Sequence, residues 1–265
     1  MFDKIFVCLD GSALAAKILP LAEGVAKATG AAIALLRVVK DNGEMAAEES
    51  YMGNQANLCG AQIRFLLSHD PPAAIVEELT KNPQAMPVMT THGRTAWVEA
   101  LLGSVALQVI RGAKRPVLLH CPLPDHPEAP AKIVTVVVAL DGSKFSERII
   151  SSAVELAKAF GARLLLVQAL PQRSSITLQG DVLESSYLHA EADEIKKKYG
   201  IDADWDVLHG EAGDAICRYL DGMQDTLLAM TSHARSGLER ALVGSVVASC
   251  IRHAGVPILI YWPEN

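Results

Sequence analysis

The chain has 265 residues, half of them hydrophobic and a fifth charged, a balance that excludes intrinsic disorder and suits about two globular domains. Its net charge of −6, with no basic cluster longer than Lys196-Lys197-Lys198, argues against a nucleic-acid partner, because neutralising phosphates takes concentrated positive charge. The longest apolar run, Ile133 to Leu140, is too short to cross a bilayer, and five scattered cysteines without a CxxC pair read as reduced thiols of a cytoplasmic protein.

Lys4 to Leu9 is a continuous apolar run, as expected of a strand buried on both faces, and it stops at Asp10-Gly11-Ser12. A helix-period stretch follows, in which Pro20 is expected to introduce a bend. AIALLRVV is the second strand. Glu49 to Gln62 contains Gly53, Asn54, Asn57 and Gly60, so a short, frayed or irregular segment is expected there. A third strand near Ile63 to Leu67, a short helix containing Ile75 to Leu79 and a fourth strand ending at Met89 come next. Pro87 lacks a ladder donor and is rare in a central strand, so the strand either starts after it or is disturbed by it. The polar loop TTHGRTAWVEALLGS, Thr90 to Ser104, leads to the helix SVALQVIRGA, with Ser104 as its N-cap, and to the strand PVLLH.

The same order then repeats. Asp141-Gly142-Ser143 and Gly161 match Asp10-Gly11-Ser12 and Gly30 at an offset of 131 residues. His233, Gly244-Ser245 and Pro257 match His92, Gly103-Ser104 and Pro116 at an offset of 141. A segment between Gly30 and Ile75 therefore differs in length between the copies, and the second copy has a good helix there, SSYLHAEADEIKKKYG. Its other helices are FSERIISSAVELAKAF, closed by Gly161, the stretch around Ala215 to Leu220, and SVVASCIRHAG with Ser245 as N-cap. Its strands are VTVVVAL, RLLLVQAL, Trp205 to Leu208, a run ending at Met230, and VPILIY. The proline-rich join CPLPDHPEAPA reads as an extended linker, giving domains 1–124 and 125–265. Strand and helix in alternation imply an α/β fold of parallel sheets with helices on both faces.

Two polar turns fall at the carboxyl ends of the first and fourth strands. In a doubly wound sheet, ligands settle outside the carboxyl ends where the strand order reverses. If those two strands are neighbours, the turns share one crevice. Asp10 would accept a hydrogen bond from a base or sugar there, and Val38 would pack on a flat ring. Gly93 admits close backbone approach, and Gly103-Ser104-Val105 opens a helix whose free N–H groups attract phosphate. His92 and His233 are placed to touch phosphate or to bond backbone, and Arg94 and Arg235 to reach a phosphate or solvent. No second ligand stands at metal-binding spacing from either histidine, so no metal site is expected. No P-loop, Gly-x-Ser-x-Gly elbow or His-Glu-x-x-His motif is present, so an enzyme is not expected, with slow ATP turnover left open.

The pattern VCLDGS…MTTHGRTAWVEALLGSVALQVIRGAKRPVLLH, repeated as VVALDGS…AMTSHARSGLERALVGSVVASCIRHAGVPILIY, resembles the universal stress protein family across essentially the whole chain, in a tandem two-domain form. The resemblance implies two doubly wound five-stranded parallel-sheet domains of the adenine nucleotide alpha hydrolase-like type. It also implies self-association through the last strands, Val117 to His120 and Pro257 to Tyr261, within one chain as a pseudo-dimer and between chains as a homodimer. The implied function is a stress-response regulator that binds ATP, ADP or AMP. The ATP-binding branch carries Gly-x2-Gly-x9-Gly-Ser/Thr. Here the motif becomes Thr90-x2-Gly93-x9-Gly103-Ser104, and Thr231-x2-Ala234-x9-Gly244-Ser245, with one glycine replaced in the first copy and two in the second. Carried over, the better site comprises Asp10, Gly11, Ser12, Val38, Met89, Thr90, His92, Gly93, Arg94, Gly103, Ser104 and Val105. The weaker one comprises Asp141, Gly142, Ser143, Ala169, Met230, Thr231, His233, Arg235, Gly244, Ser245 and Val246. The alternative is an interaction module whose two sites have degenerated.

Overall fold

The computed structural model describes residues 2–91, 102–121, 129–171, 178–232 and 244–263, with the backbone alone over 178–184. The first copy runs β1 (Lys4–Cys8), α1 (Ala13–Ala16), α2 (Leu19–Thr29), β2 (Ala32–Val39), α3 (Asn42–Cys59) and β3 (Gln62–Leu67). It continues with α4 (Pro71–Lys81), β4 (Ala85–Thr90), α5 (Ser104–Gly112) and β5 (Val117–His120). The second copy runs β6 (Thr135–Leu140), a 3-10 turn at Ser146–Ile149, α6 (Ile150–Phe160), β7 (Arg163–Leu170) and α7 (Leu178–Tyr199). Then follow β8 (Ala203–His209), α8 (Ala212–Leu220), β9 (Thr226–Thr231), α9 (Ser245–His253) and β10 (Ile258–Tyr261).

The ten described strands form one sheet in the order β3-β2-β1-β4-β5-β10-β9-β6-β7-β8. Each half is parallel and five-stranded. The halves meet where β5 and β10 pair antiparallel, Leu118 facing Leu259, both fully buried. The expected pairing of the last strands within one chain is what the structure shows. That pairing occupies β5 and β10 on both sides and leaves β3 and β8 as the edges. Both last strands are therefore interior to the sheet of a single chain. Across the same seam the Arg111 guanidinium of α5 lies 5.2 Å from the ring centre of Trp262, a cation–π contact.

Side-chain alternation divides the core in two. Ile5, Val7 and Leu9 join the cluster under α2, α3, α6 and α7, whereas Phe6 and Cys8 join the one under α4, α5, α8 and α9. Three local expectations are corrected. Residues 49–62 are not irregular, because α3 is a single helix. Asp41 caps it, accepting from the Glu44 N–H at 2.8 Å, and Glu44 accepts from the Lys40 N–H at 2.8 Å. Met52 is fully buried, and burying such a side chain contributes about 2 kcal/mol, enough to offset the poor propensity of Gly53 at about 1 kcal/mol. Pro20 bends no helix. The chain breaks after α1, and Pro20 falls in the first turn of α2, where a missing N–H costs little. Pro87 lies within β4 and pairs with Phe6, and the strand continues through it. At the matching position Leu228 donates to the Pro257 carbonyl at 3.0 Å. The β4–β5 ladder starts one residue later, at Val88, so the proline forfeits one terminal hydrogen bond.

The chain leading into the second copy lies against α2 at Ala131. A Cβ at Gly24 would overlap the Ala131 carbonyl group, its carbon only 2.6 Å away, whereas Gly53 has open space around it. Helix propensity favours alanine equally at both positions. Gly53→Ala is expected to raise stability by about 0.5–1 kcal/mol, and Gly24→Ala to lower it by about 1–3 kcal/mol through overpacking. Urea unfolding midpoints of the two variants check this, and stabilisation by both would remove the connector from the face of α2.

Candidate functional site

Strand β1 is paired on one edge with β2 (Cys8 with Leu36) and on the other with β4 (Cys8 with Met89). The chain winds outward from β1 to β3 and resumes on the opposite side at β4, so the strand order reverses between β1 and β4. The second half repeats this at β6, between β7 and β9.

The segment after β1 is fixed by its own polar groups. Asp10 Oδ1 accepts from the Ser12 N–H at 3.0 Å and from the Ser12 hydroxyl at 2.6 Å. Gly11 sits in the turn at φ 84°, where a Cβ would be strained. Ser12 Oγ then caps α1 by accepting from the Ala15 N–H at 3.1 Å. After β4, the Thr91 N–H donates to the His120 carbonyl at 2.9 Å, and the Gly103 N–H donates to the Thr91 carbonyl at 2.7 Å. That second bond sets the start of α5 at the end of β4, beside the strand that carries Asp10. The first helical bond runs from the Leu107 N–H to the Gly103 carbonyl at 3.0 Å, and Ala248 to Gly244 matches it at 2.9 Å. Gly103 and Gly244 are therefore the N-caps, and Ser104 and Ser245 are first helical residues, a correction to the expected capping. Gly103 and Gly244 have no side chain with which to cap these helices, so the first-turn N–H groups suit an anion.

Val38, Met89 and Cys8 belong to the apolar cluster that includes Ala106 of α5, with Val105 partly buried against it. Thr90, in the place of the motif's leading glycine, is 6% exposed. In the second half Asp141 Oδ1 accepts from the Ser143 N–H at 2.9 Å and its hydroxyl at 2.5 Å, with Gly142 at φ 85°. Met230, Ala169 and Val246 join the same apolar cluster, and Thr231 is buried. His92, Gly93, Arg94, His233, Ala234 and Arg235 lie outside the described residues.

Sequence reasoning missed a charged buttress beside the first turn. Arg37, inside β2 and 6% exposed, donates to the Val38 carbonyl at 2.8 Å and reaches Glu44 at 3.2 Å and Glu48 at 2.9 Å on α3. From the same helix the Tyr51 hydroxyl donates to the Ser12 carbonyl at 2.9 Å. Burial raises the Tyr51 phenol above its ordinary range, and the Asp10 and Glu48 carboxylates push it further, so it remains a donor. The available signal was an arginine inside the apolar run AIALLRVV, since a charge on a strand buried on both faces must find a partner. The second half is built differently. Gln168 takes the place of Arg37, Lys144 pairs with Glu147 at 2.7 Å and Glu191 at 3.5 Å, and Tyr187 donates to Glu147 at 3.2 Å. Burial, then the neighbouring Glu147, raises Glu191 above the usual carboxylate range.

Two parallel half-sheets, each reversing beside its first strand and sealed through their last strands, define a tandem α/β protein of doubly wound type. The universal stress protein family model matches residues 1–120 and 133–261, and the chain belongs to that family. It is 29% identical over 207 residues to a universal stress protein of Mycobacterium tuberculosis, covering 75% of this chain and 68% of that one. A universal stress protein of Methanocaldococcus jannaschii is 27% identical over 135 residues, covering 47% of this chain and 79% of that one. The crystal structure of a universal stress protein from Archaeoglobus fulgidus shares the fold over 100% of both chains, with a TM-score of 0.76 and 21% identity. Among the described residues no helix is long and apolar enough to cross a membrane, and no group of three or more His, Cys, Asp or Glu could hold a metal ion.

Removing the arginine from the buttress leaves two glutamates facing each other without their cation. Arg37→Met is expected to cost about 3 kcal/mol, the magnitude for breaking a buried ion pair from one side. Urea unfolding at neutral pH measures it, and an unchanged midpoint would mean that Glu44 and Glu48 do not depend on Arg37.

Proposed function

We propose that this chain is a cytoplasmic stress-response regulator, with domains 1–124 and 125–265, that binds an adenine nucleotide (ATP, ADP or AMP) where β1 and β4 diverge in the first domain. The observation that carries the reading is the Gly103-to-Thr91 bond, because it sets the glycine-started α5 beside the Asp10 turn. Phosphate oxygens would accept from the N–H groups of Ser104 and Val105, which the helix dipole favours. Asp10 would bond the ribose or base, and Val38 and Met89 would supply the apolar side. His92, Gly93 and Arg94 complete the set by the family motif. The second domain keeps Gly244-Ser245 and Asp141 but has Thr231 and Ala234 in glycine positions, and is the weaker site. Binding, not turnover, is the function proposed, and nucleotide occupancy would alter association with partners or with a second chain.

A second reading, an interaction module with two degenerate sites, is favoured by the burial of Thr90 and Thr231 at the strand ends, where the motif has glycine. Isothermal titration calorimetry with ATP, ADP and AMP separates the two readings. Nucleotide binding is expected at millimolar concentration or below. Gly103→Asp, which places a carboxylate against the phosphates, is expected to weaken it at least about tenfold, a change of roughly 1.4 kcal/mol. Retention of the native circular dichroism spectrum in that variant shows that the loss is local. No heat at millimolar nucleotide, and no nucleotide mass carried through purification, would leave the interaction module standing.

A further inference from the structure

The repeat supplies an internal comparison at one helix–helix contact. In the first half α4 packs on α5 with Val76 half-buried and Val109 fully buried. At the matching positions of α8 and α9 the second half has Cys217, half-buried, and Cys250, fully buried. The Cys217 thiol reaches the Ser249 carbonyl, next to Cys250 on α9, at 3.9 Å, and the two thiols lie near enough to influence each other's ionisation. One turn earlier on α8, Gly213 lets α9 approach so closely that a Cβ there would stand 2.7 Å from the Ser249 Cβ. The helices are thus pressed together over the turns that carry both sulfurs. The first half carries valine at both positions, so the contact between these two helices does not require a thiol at either.

The remaining thiols lie elsewhere. Cys8 and Cys121 are buried, and burial pushes the Cys8 thiol up to about 12. Cys59, the other half-exposed one, donates to the Gln55 carbonyl at 3.1 Å and is raised by burial and by Glu23. Cys217 moves the opposite way. The hydrogen bond from Cys250 holds it below the usual thiol range, while Cys250 is raised by that same bond and by burial. One sulfur is disposed to be the thiolate and the other to keep its proton, as a nucleophile and a resolving thiol require.

We propose that Cys217 and Cys250 form a redox-active dithiol that a peroxide oxidises to an intrachain disulfide joining α8 to α9. The Cys217 thiolate attacks one oxygen of hydrogen peroxide. The O–O bond breaks, and the leaving hydroxide takes the proton that Cys217 gave up and departs as water. Cys217 is then a sulfenic acid. The Cys250 sulfur attacks the Cys217 sulfur, the S–O bond breaks, and the hydroxyl leaves as water with the Cys250 proton. Two thiols and one peroxide give one disulfide and two waters, and the sulfurs lose the two electrons that the peroxide gains. The bond would pin α9, the helix that opens at Gly244-Ser245, to its neighbour.

The test uses the full folded chain. It is treated with hydrogen peroxide, denatured, alkylated and digested without reductant. Two of the five thiols are expected to escape alkylation, and a cross-linked peptide joining Cys217 to Cys250 is expected to disappear on reduction. Cys217→Val installs the side chain that the first half already packs at this contact. That variant should keep its unfolding midpoint, form no cross-link and leave Cys250 open to alkylation. Full alkylation of both cysteines after peroxide treatment would overturn the proposal. So would recovery of Cys217 as sulfinic acid with Cys250 still alkylated, or a cross-link that involves Cys59 instead.

Discussion

Strand β1 is hydrogen-bonded along both edges, to β2 and to β4, and this double pairing dictates the form of each half. Crossovers in a parallel sheet are right-handed, so a chain that leaves a strand in one direction and resumes on its other side sends the two connections to opposite faces. The carboxyl ends of β1 and β4 are then left without a connection running across them. Whatever follows those strands lies at the opening: the Asp10 turn from one, and Thr91 with the start of α5 from the other. The polar character of both segments follows from position. They are the places where backbone leaves the ladder without covering side chains, and their N–H groups must find acceptors in side chains, carbonyls or a ligand.

The antiparallel seam turns two marginal edges into interior strands. Short, fully buried strands such as β5 and β10 would be hazards at the margin of a sheet, because unpaired N–H and carbonyl groups invite association. Pairing Leu118 with Leu259 removes both edges at once. The helices on one face, α2 and α6, come together over the seam in a shared apolar cluster, and the connector at Ala131 runs against Gly24. The two copies thereby share one continuous sheet, although each repeats a complete five-stranded topology.

Within that shared frame the copies differ in the side chains set around a matching turn. Both keep the aspartate–glycine–serine turn with nearly identical φ at the glycine. Around it the first copy has an arginine bound by two glutamates on α3. The second has a lysine between two glutamates, with a tyrosine donating to one of them. Likewise the positions that hold Val76 and Val109 in one copy hold Cys217 and Cys250 in the other.

The apolar runs of period two, the helical stretches, the glycine stops and the double reading of Asp-Gly-Ser were legible in the sequence, and with them the α/β class and the repeat. These are local quantities, fixed by the spacing of side chains along one segment. The order of strands and the helical state of residues 42–59 were not, and the pairing of the last strands came only with the family resemblance. Each depends on contacts between residues distant in the chain: Met52 against the core, Tyr51 on Ser12, Leu118 on Leu259. The site divides along the same line. Asp10 and Gly103-Ser104 could be picked out as polar turns, but Arg37, Glu44 and Glu48 could not be joined until tertiary structure laid α3 over β2. Composition and spacing thus determined which segments form elements and where chemistry could sit. Only folding decided which of those segments became neighbours, because the burial that selects partners acts between surfaces, and a sequence lists residues without saying which surfaces meet.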